Sequence, residues 1–127
     1  MYQELSIFQT AAAMSKHAGA RQAVVAQNVA NADTPGYRAR TIPPFTQVLD
    51  QTGSEGMRTS RAGHIGHAPA GSSGLQSVLS NAEPSPNGNS VSIEEEMLNS
   101  VAVSREHSKS LAIYRHAMTV LRTSLGR

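Results

Sequence analysis

Two histidines three apart, His64 and His67, form the one spacing in this chain that suggests a metal site, since two imidazoles can share a cation when the loop between them folds suitably. No third ligand accompanies them. Glu55 is distant in sequence, cysteine is absent, and the Gly-rich surroundings offer nothing to orient the rings, so the pair reads as part of a solvated loop. His17, His107 and His116 fall in helical stretches, and no serine or carboxylate can be placed beside any of them with triad logic; Ser15 and Ser104 likewise have no assignable base. Glu94, Glu95 and Glu96 could supply paired carboxylates for glycosidic chemistry, but they open a helix, where the positive end of the helix dipole accounts for them. The sequence therefore predicts no catalytic residue, no cofactor-binding residue and no metal ligand.

The more informative residues are those that stop a helix. From Gln3 to Ala32 the chain reads as one long helix, with Leu5, Phe8, Ala12, Ser15, Gly19, Gln22, Ala26 and Val29 recurring at spacings of three and four. Thirty residues at ~1.5 Å each give a rod of roughly 45 Å. Pro35 disfavours the α region for Thr34, so the helix ends at or before Asp33. Asn31 suits the helix C-terminus because asparagine tolerates a left-handed backbone. Pro35 and Gly36 then supply the two central residues of a type II turn, which redirects the chain at Tyr37.

The string Asn28-Val29-Ala30-Asn31-Ala32-Asp33-Thr34-Pro35-Gly36-Tyr37-Arg38 resembles the N-terminal signature of bacterial flagellar rod and hook proteins, and within these the short basal-body rod subunits. The likeness extends over about residues 1–52 and 91–127. It implies a structural polymer subunit in which Asn28, Asn31, Thr34, Pro35, Gly36 and Tyr37 form the junction between the N-terminal helix and the arm that follows. It also implies a position in the basal-body rod across the periplasm, reached through the flagellar type III export apparatus without a cleaved signal peptide. The implied partners are other rod proteins, the MS ring, the rod-base adaptor and further copies of the chain. Phe45-x-x-x-Leu49 resembles the short apolar element by which rod and hook substrates engage the export gate; packing of the arm on a neighbouring helix explains the same two residues.

Composition is consistent with that reading. At 13.4 kDa the chain is one domain at most, and many of the residues in its 39% hydrophobic content are alanines, with 4% aromatics and no tryptophan, which argues against a large autonomous core. A formal charge of +2 is too mild and dispersed for a nucleic-acid binder, and nine of the eleven basic residues are arginine, which favours bidentate protein contacts. No run approaches membrane-spanning length, and the N-terminus lacks the features of a secretory signal.

A second helix opens near Ser92, which stands in capping-box spacing with Glu95. Leu111, Tyr114, Met118, Leu121 and Leu125 follow a three-four alternation that extends back through His107, Ser104 and Ser100 to Met97, and they are the expected interface of the C-terminal helix. Between the helices, residues 34–52 read as a turn and an extended arm. Residues 53–90, rich in Gly, Ser and Pro, read as a flexible middle in which Pro84 to Asn89 forms a turn leading into the helix of residues 91–127. The predicted fold is mainly α, an antiparallel coiled-coil-like hairpin of residues 1–33 and 91–127. Alternatives are a cytoplasmic helical adaptor or chaperone-like protein of the export system and, resting on the histidine pair alone, a metal-dependent peptidoglycan hydrolase.

Overall fold

The computed structural model describes residues 2–52 and 75–126, and side chains within residues 6–49 and 75–126. Among these, two long helices dominate: α1 (Tyr2–Ala30) and α3 (Ile93–Ser124), with a short helix α2 (Phe45–Thr52) and two-residue strands β1 (Arg40–Thr41) and β2 (Val78–Leu79) between them. The long helices run antiparallel. Their partners descend in α3 as they ascend in α1, from the edge-on ring pair Phe8–Tyr114 through the Arg21–Glu106 ion pair at 2.9 Å to the Asn28–Glu96 hydrogen bond. His64 and His67, with Glu55 and residues 53–74 as a whole, lie outside the described residues.

The seam between the helices is offset by one residue from the predicted stripe. Ala11, Ala18 and Val25 are the buried apolar residues of α1, joined by His17 and Asn28, whereas Ala12, Gly19 and Ala26 face outward. In α3 the corresponding buried residues are Glu96, Val103 and Ser110, with Ala117 half-buried, whereas Met97, Ser104 and Leu111 are exposed. Both registers satisfy a three-four alternation, and the larger side chains of α3 favour the predicted one. Close approach decides the matter: small residues on both helices bring the backbones together, and the larger apolar side chains stay outside.

Of the predicted α3 interface residues, Met118 and Leu121 are half-buried, Tyr114 packs on Phe8, and Leu111 and Leu125 are exposed. Ser92 is the N-cap, its Oγ accepting from the Glu95 N–H at 3.5 Å. Leu125 is the C-cap, followed by Gly126 at φ 73°.

Two predicted segments differ. The arm is extended only through β1; from Phe45 it is helical, because Pro44 provides a helix-compatible φ and its carbonyl accepts from Gln47 and Val48, while Phe45 is held edge-on against His17. Within the segment read as a flexible middle, β2 pairs antiparallel with β1, Leu79 opposite Arg40 and Val78 opposite Thr41. Its apolar residues are few, but backbone pairing orders it.

Candidate functional site: a turn-on-turn junction

The residues singled out by the sequence meet at the closed end of the hairpin. Past Ala30 the chain tightens: Asn31 and Ala32 donate to carbonyls three residues back, as does Thr34 to Asn31, and the backbone of Asn31 keeps a negative φ. The left-handed cap expected at Asn31 is thus replaced by 3₁₀-type turns, and its side chain instead donates to the Gln27 carbonyl at 2.8 Å and accepts from the Thr34 hydroxyl at 3.3 Å. The positive φ falls at Gly36, 74°, where the Tyr37 N–H donates to the Thr34 carbonyl at 3.3 Å across Pro35-Gly36.

A second turn docks on the first. Gly88, at φ 80°, donates to the Ser85 carbonyl at 2.7 Å, and Gly36 donates to the Asn87 carbonyl at 3.0 Å. A Cβ on Gly88 would stand 3.3 Å from the Gly36 Cα, so the two glycines allow the turns to approach.

Asn28 and Asn89 complete the junction with their side chains. Asn28, 1% exposed, accepts from the Arg40 N–H at 3.1 Å and donates to the Arg40 carbonyl at 2.7 Å, so its amide pairs with β1 as a neighbouring strand would. The same amide donates to Glu96 Oε1 at 3.0 Å and accepts from the Tyr37 hydroxyl at 3.3 Å. Asn89, 3% exposed, directs its Nδ2 at the carbonyls of Asn31, Ala32 and Thr34, at 2.7–2.9 Å, and so caps the end of α1 from the far side of the chain. Ser90 Oγ accepts from the Ala39 N–H at 2.8 Å, and its own N–H donates to the Tyr37 carbonyl.

Asn89, Ser90, Arg40 and Glu96 were not foreseen as site residues. The sequence placed Glu96 in a helix start at the positive end of the dipole; it is buried, its Oε2 has no hydrogen-bond partner, and burial holds its carboxyl above the ordinary range although the Asn28 bond pulls the other way. The signal available for Asn89 and Ser90 was their position directly after Asn87-Gly88 and before the helix, which marks a turn but not its partner.

His17 is 2% exposed, and neither ring nitrogen has a hydrogen-bond partner. Burial, then Arg21, lowers its pKa, against weaker upward pulls from Glu106 and the nearby Pro43 carbonyl. The His17 ring, seated against Phe45 with 5.5 Å between centroids, is a packing group joining α1 to α2. Leu49, one turn beyond Phe45 on α2, is half exposed. His107 lies on the exposed side of α3 and His116 on its outer face near α1. The described residues hold no group of three or more His, Cys, Asp and Glu that could bind a metal ion, and no described helix is long and apolar enough to cross a membrane.

The N-terminal side of this junction, and most of the chain beyond it, is similar to known proteins. Residues 10–38 match the family model described as flagella basal body rod protein. Over 129 residues the chain is 27% identical to the flagellar basal body rod protein FlgB of Agrobacterium fabrum (strain C58 / ATCC 33970), covering 94% of this chain and 93% of that protein. Over 105 residues it is 27% identical to the protein of the same name from Cereibacter sphaeroides (strain ATCC 17029 / ATH 2.4.9), covering 83% and 82% respectively.

Proposed function

We propose that this chain, which belongs to the flagellar basal-body rod protein family, is a structural subunit of the proximal rod. The observation that supports this most directly is the use of the matched segment. Its residues accept and donate hydrogen bonds that fix two helices of ~44 and ~48 Å side by side. The helices then consume their small residues in the mutual seam and leave Met97, Leu98, Val101 and Val120 outward. A subunit that presents apolar surface along its length is suited to burial by neighbours.

In this role the chain assembles through heterologous contacts into a helical tube that carries torque and encloses the export path. Its neighbours are further copies, other rod proteins, the MS ring and the rod-base adaptor, and it reaches the periplasm through the type III apparatus. Phe45 and Leu49 serve there as the export-gate element before the subunit folds; in the folded chain Phe45 is occupied by His17.

The test is the location of the protein. Basal bodies purified from the source bacterium should contain it, and a strain lacking it should have no hook or filament. A chain truncated after Ala112, without Tyr114, Met118, Leu121 and Leu125, should leave the cytoplasm yet fail to enter basal bodies. Confinement of the full-length protein to the cytoplasm would favour the adaptor reading instead.

A further inference from the structure

Asn87-Gly88 is the one Asn-Gly pair in the chain. Such a pair carries its own reagents. The glycine nitrogen, unhindered by a side chain, attacks the asparagine Cγ; the new N–Cγ bond closes a five-membered succinimide, the Cγ–Nδ2 bond breaks, and ammonia leaves with the proton that the nitrogen gave up. Water then adds at either ring carbonyl and opens the ring to an aspartyl or an isoaspartyl residue. Asn87 is exposed, and the pair stands where the second turn docks on the first.

The junction restrains each part of that reaction. The Gly88 N–H donates to the Ser85 carbonyl at 2.7 Å, so the attacking nitrogen keeps its proton. Asn87 Oδ1 accepts from the Asn89 N–H at 3.0 Å, and the Asn87 main-chain carbonyl accepts from the Gly36 N–H at 3.0 Å, so turning Asn87 towards ring closure breaks bonds on both sides. We infer that Asn87 is a deamidation site held shut by the turn-on-turn junction: it reacts in chains whose junction is open, and its isoaspartyl product then keeps the junction from closing.

The second half follows from bond lengths. In an isoaspartyl residue the main chain runs through Cβ and Cγ, so it is longer by one C–C bond, about 1.5 Å, and the carbonyl that accepts from Gly36 becomes a free carboxylate off the main chain. Asn89 follows two residues later, its Nδ2 at 2.7–2.9 Å from three carbonyls at the end of α1, and a displacement of that size takes it out of hydrogen-bonding range. The aspartyl product keeps the main-chain length and adds only charge. Asn81, exposed in the same connection but followed by Ala82, lacks the unhindered nitrogen and serves as an internal control.

The full-length chain would be incubated at neutral pH, folded and in urea, beside a synthetic peptide of residues 79–92. Conversion at Asn87 would be followed by peptide mass spectrometry, with isoaspartate counted by enzymatic methyl transfer. The urea and peptide rates should agree, and the folded chain should react at least roughly ten-fold more slowly, because only its opened fraction reacts. Asn89→Ala removes the caps on α1 and leaves the reacting pair unchanged, so it should move the folded rate towards that of the peptide; Gly36→Ala, a milder disturbance of the first turn, should do so to a smaller extent with helicity retained. A folded rate equal to that of the peptide, or both variants reacting as slowly as wild type, would overturn the inference. Chains converted in urea and returned to native conditions should separate into an aspartyl form close to wild type in its denaturant midpoint and an isoaspartyl form with a clearly lower one. An isoaspartyl form as stable as the unconverted chain would show that the modification does not act on the junction.

Discussion

The closed and open ends of the hairpin are built by different physics. At the closed end the contacts are directional: the side chains of Asn28 and Asn89 meet particular backbone groups, and two positive-φ glycines bring the turns together. At the open end they are apolar and incomplete, with Tyr114 edge-on to Phe8 yet 44% exposed and a groove beside them lined by Ile7, Phe8, Ile113 and Val120. Hydrogen bonds specify one geometry, whereas unspent apolar surface is indifferent to whether a helix of the same chain or of another covers it. The junction therefore fixes how the two helices meet, and the open end keeps apolar surface exposed.

The comparison breaks most readily at Asn28. Asn28→Ala removes the partner of the Arg40 N–H and carbonyl, the Tyr37 hydroxyl and Glu96 Oε1 at once. Unmade hydrogen bonds in a buried setting cost more than made ones contribute, so a loss of roughly 2–4 kcal/mol is expected in denaturant unfolding followed by helicity. Truncating exposed Leu111 to Ala at the other end should leave monomer stability almost unchanged. Equal effects at the two sites would mean that the junction is not what specifies the hairpin.

Between the two ends, the register of the seam can be tested by a pair of neighbours. Ala18 is 1% exposed and faces α3, so Ala18→Leu overfills the contact and should destabilise by about 1–3 kcal/mol. Gly19 is exposed, and a Cβ there would meet nothing within 4 Å, so Gly19→Ala should stabilise by about 1 kcal/mol through helix propensity alone. The opposite signs are diagnostic. Thermal unfolding in which Gly19→Ala destabilised and Ala18→Leu did not would restore the register first read from the sequence.

That register error shows where sequence information runs out. The helices and their ends were legible because Ser92, Pro35, Gly36 and Gly126 act locally, through capping and through φ. The seam was not, because alanines recur in α1 at both candidate registers and in α3 the larger residues, Met97 and Leu111, occupy the register that the structure turns outward. Size misleads in such a pair, since close approach favours Val103, Ser110 and Ala117 and leaves the bulk outside the seam. The motif residues Asn28 to Tyr37 were found as a set, but their partners Asn89 and Ser90 lie more than fifty residues further on, and no local pattern links a side-chain amide to distant carbonyls. Helix α2 was missed for a similar reason, since the contact of Phe45 with His17 is tertiary.

The glycines refine the picture of the closed end. Gly36 and Gly88 share a positive φ, so alanine at either should cost about 1–2 kcal/mol from backbone conformation. At Gly36 the added methyl meets nothing within 4 Å, whereas at Gly88 it presses on the Gly36 backbone at 3.3 Å. Gly88→Ala should therefore be the more damaging, and Gly36→Val should impair assembly further by adding β-branching at the same φ. A Gly36→Ala chain less stable than Gly88→Ala would show that contact between the turns matters less than the first turn alone.

The smallest expected effect is that of pH, because two buried groups oppose one another. The pKa of His17 is lowered in the folded chain, so the unfolded chain binds the additional proton; the stability linked to this group is complete above its ordinary value of 6.5 and is lost as the pH falls through the folded value. The pKa of Glu96 is raised, so the folded chain binds the additional proton; its contribution is complete below the ordinary value of 4.5 and is lost as the pH rises through the folded value. Acidification below pH 6.5 therefore weakens the seat of Phe45 on His17 while relieving the unpaired Glu96 oxygen at the junction. His17→Phe keeps an aromatic ring against Phe45 and removes the first titration, so its stability relative to wild type should improve as the pH is lowered from 7 to 5. Glu96→Gln removes the second, and its advantage over wild type should grow as the pH is raised over the same range. Denaturant midpoints of the three proteins across that range would separate the groups, and a His17→Phe difference independent of pH would show that the buried ring does not titrate with unfolding.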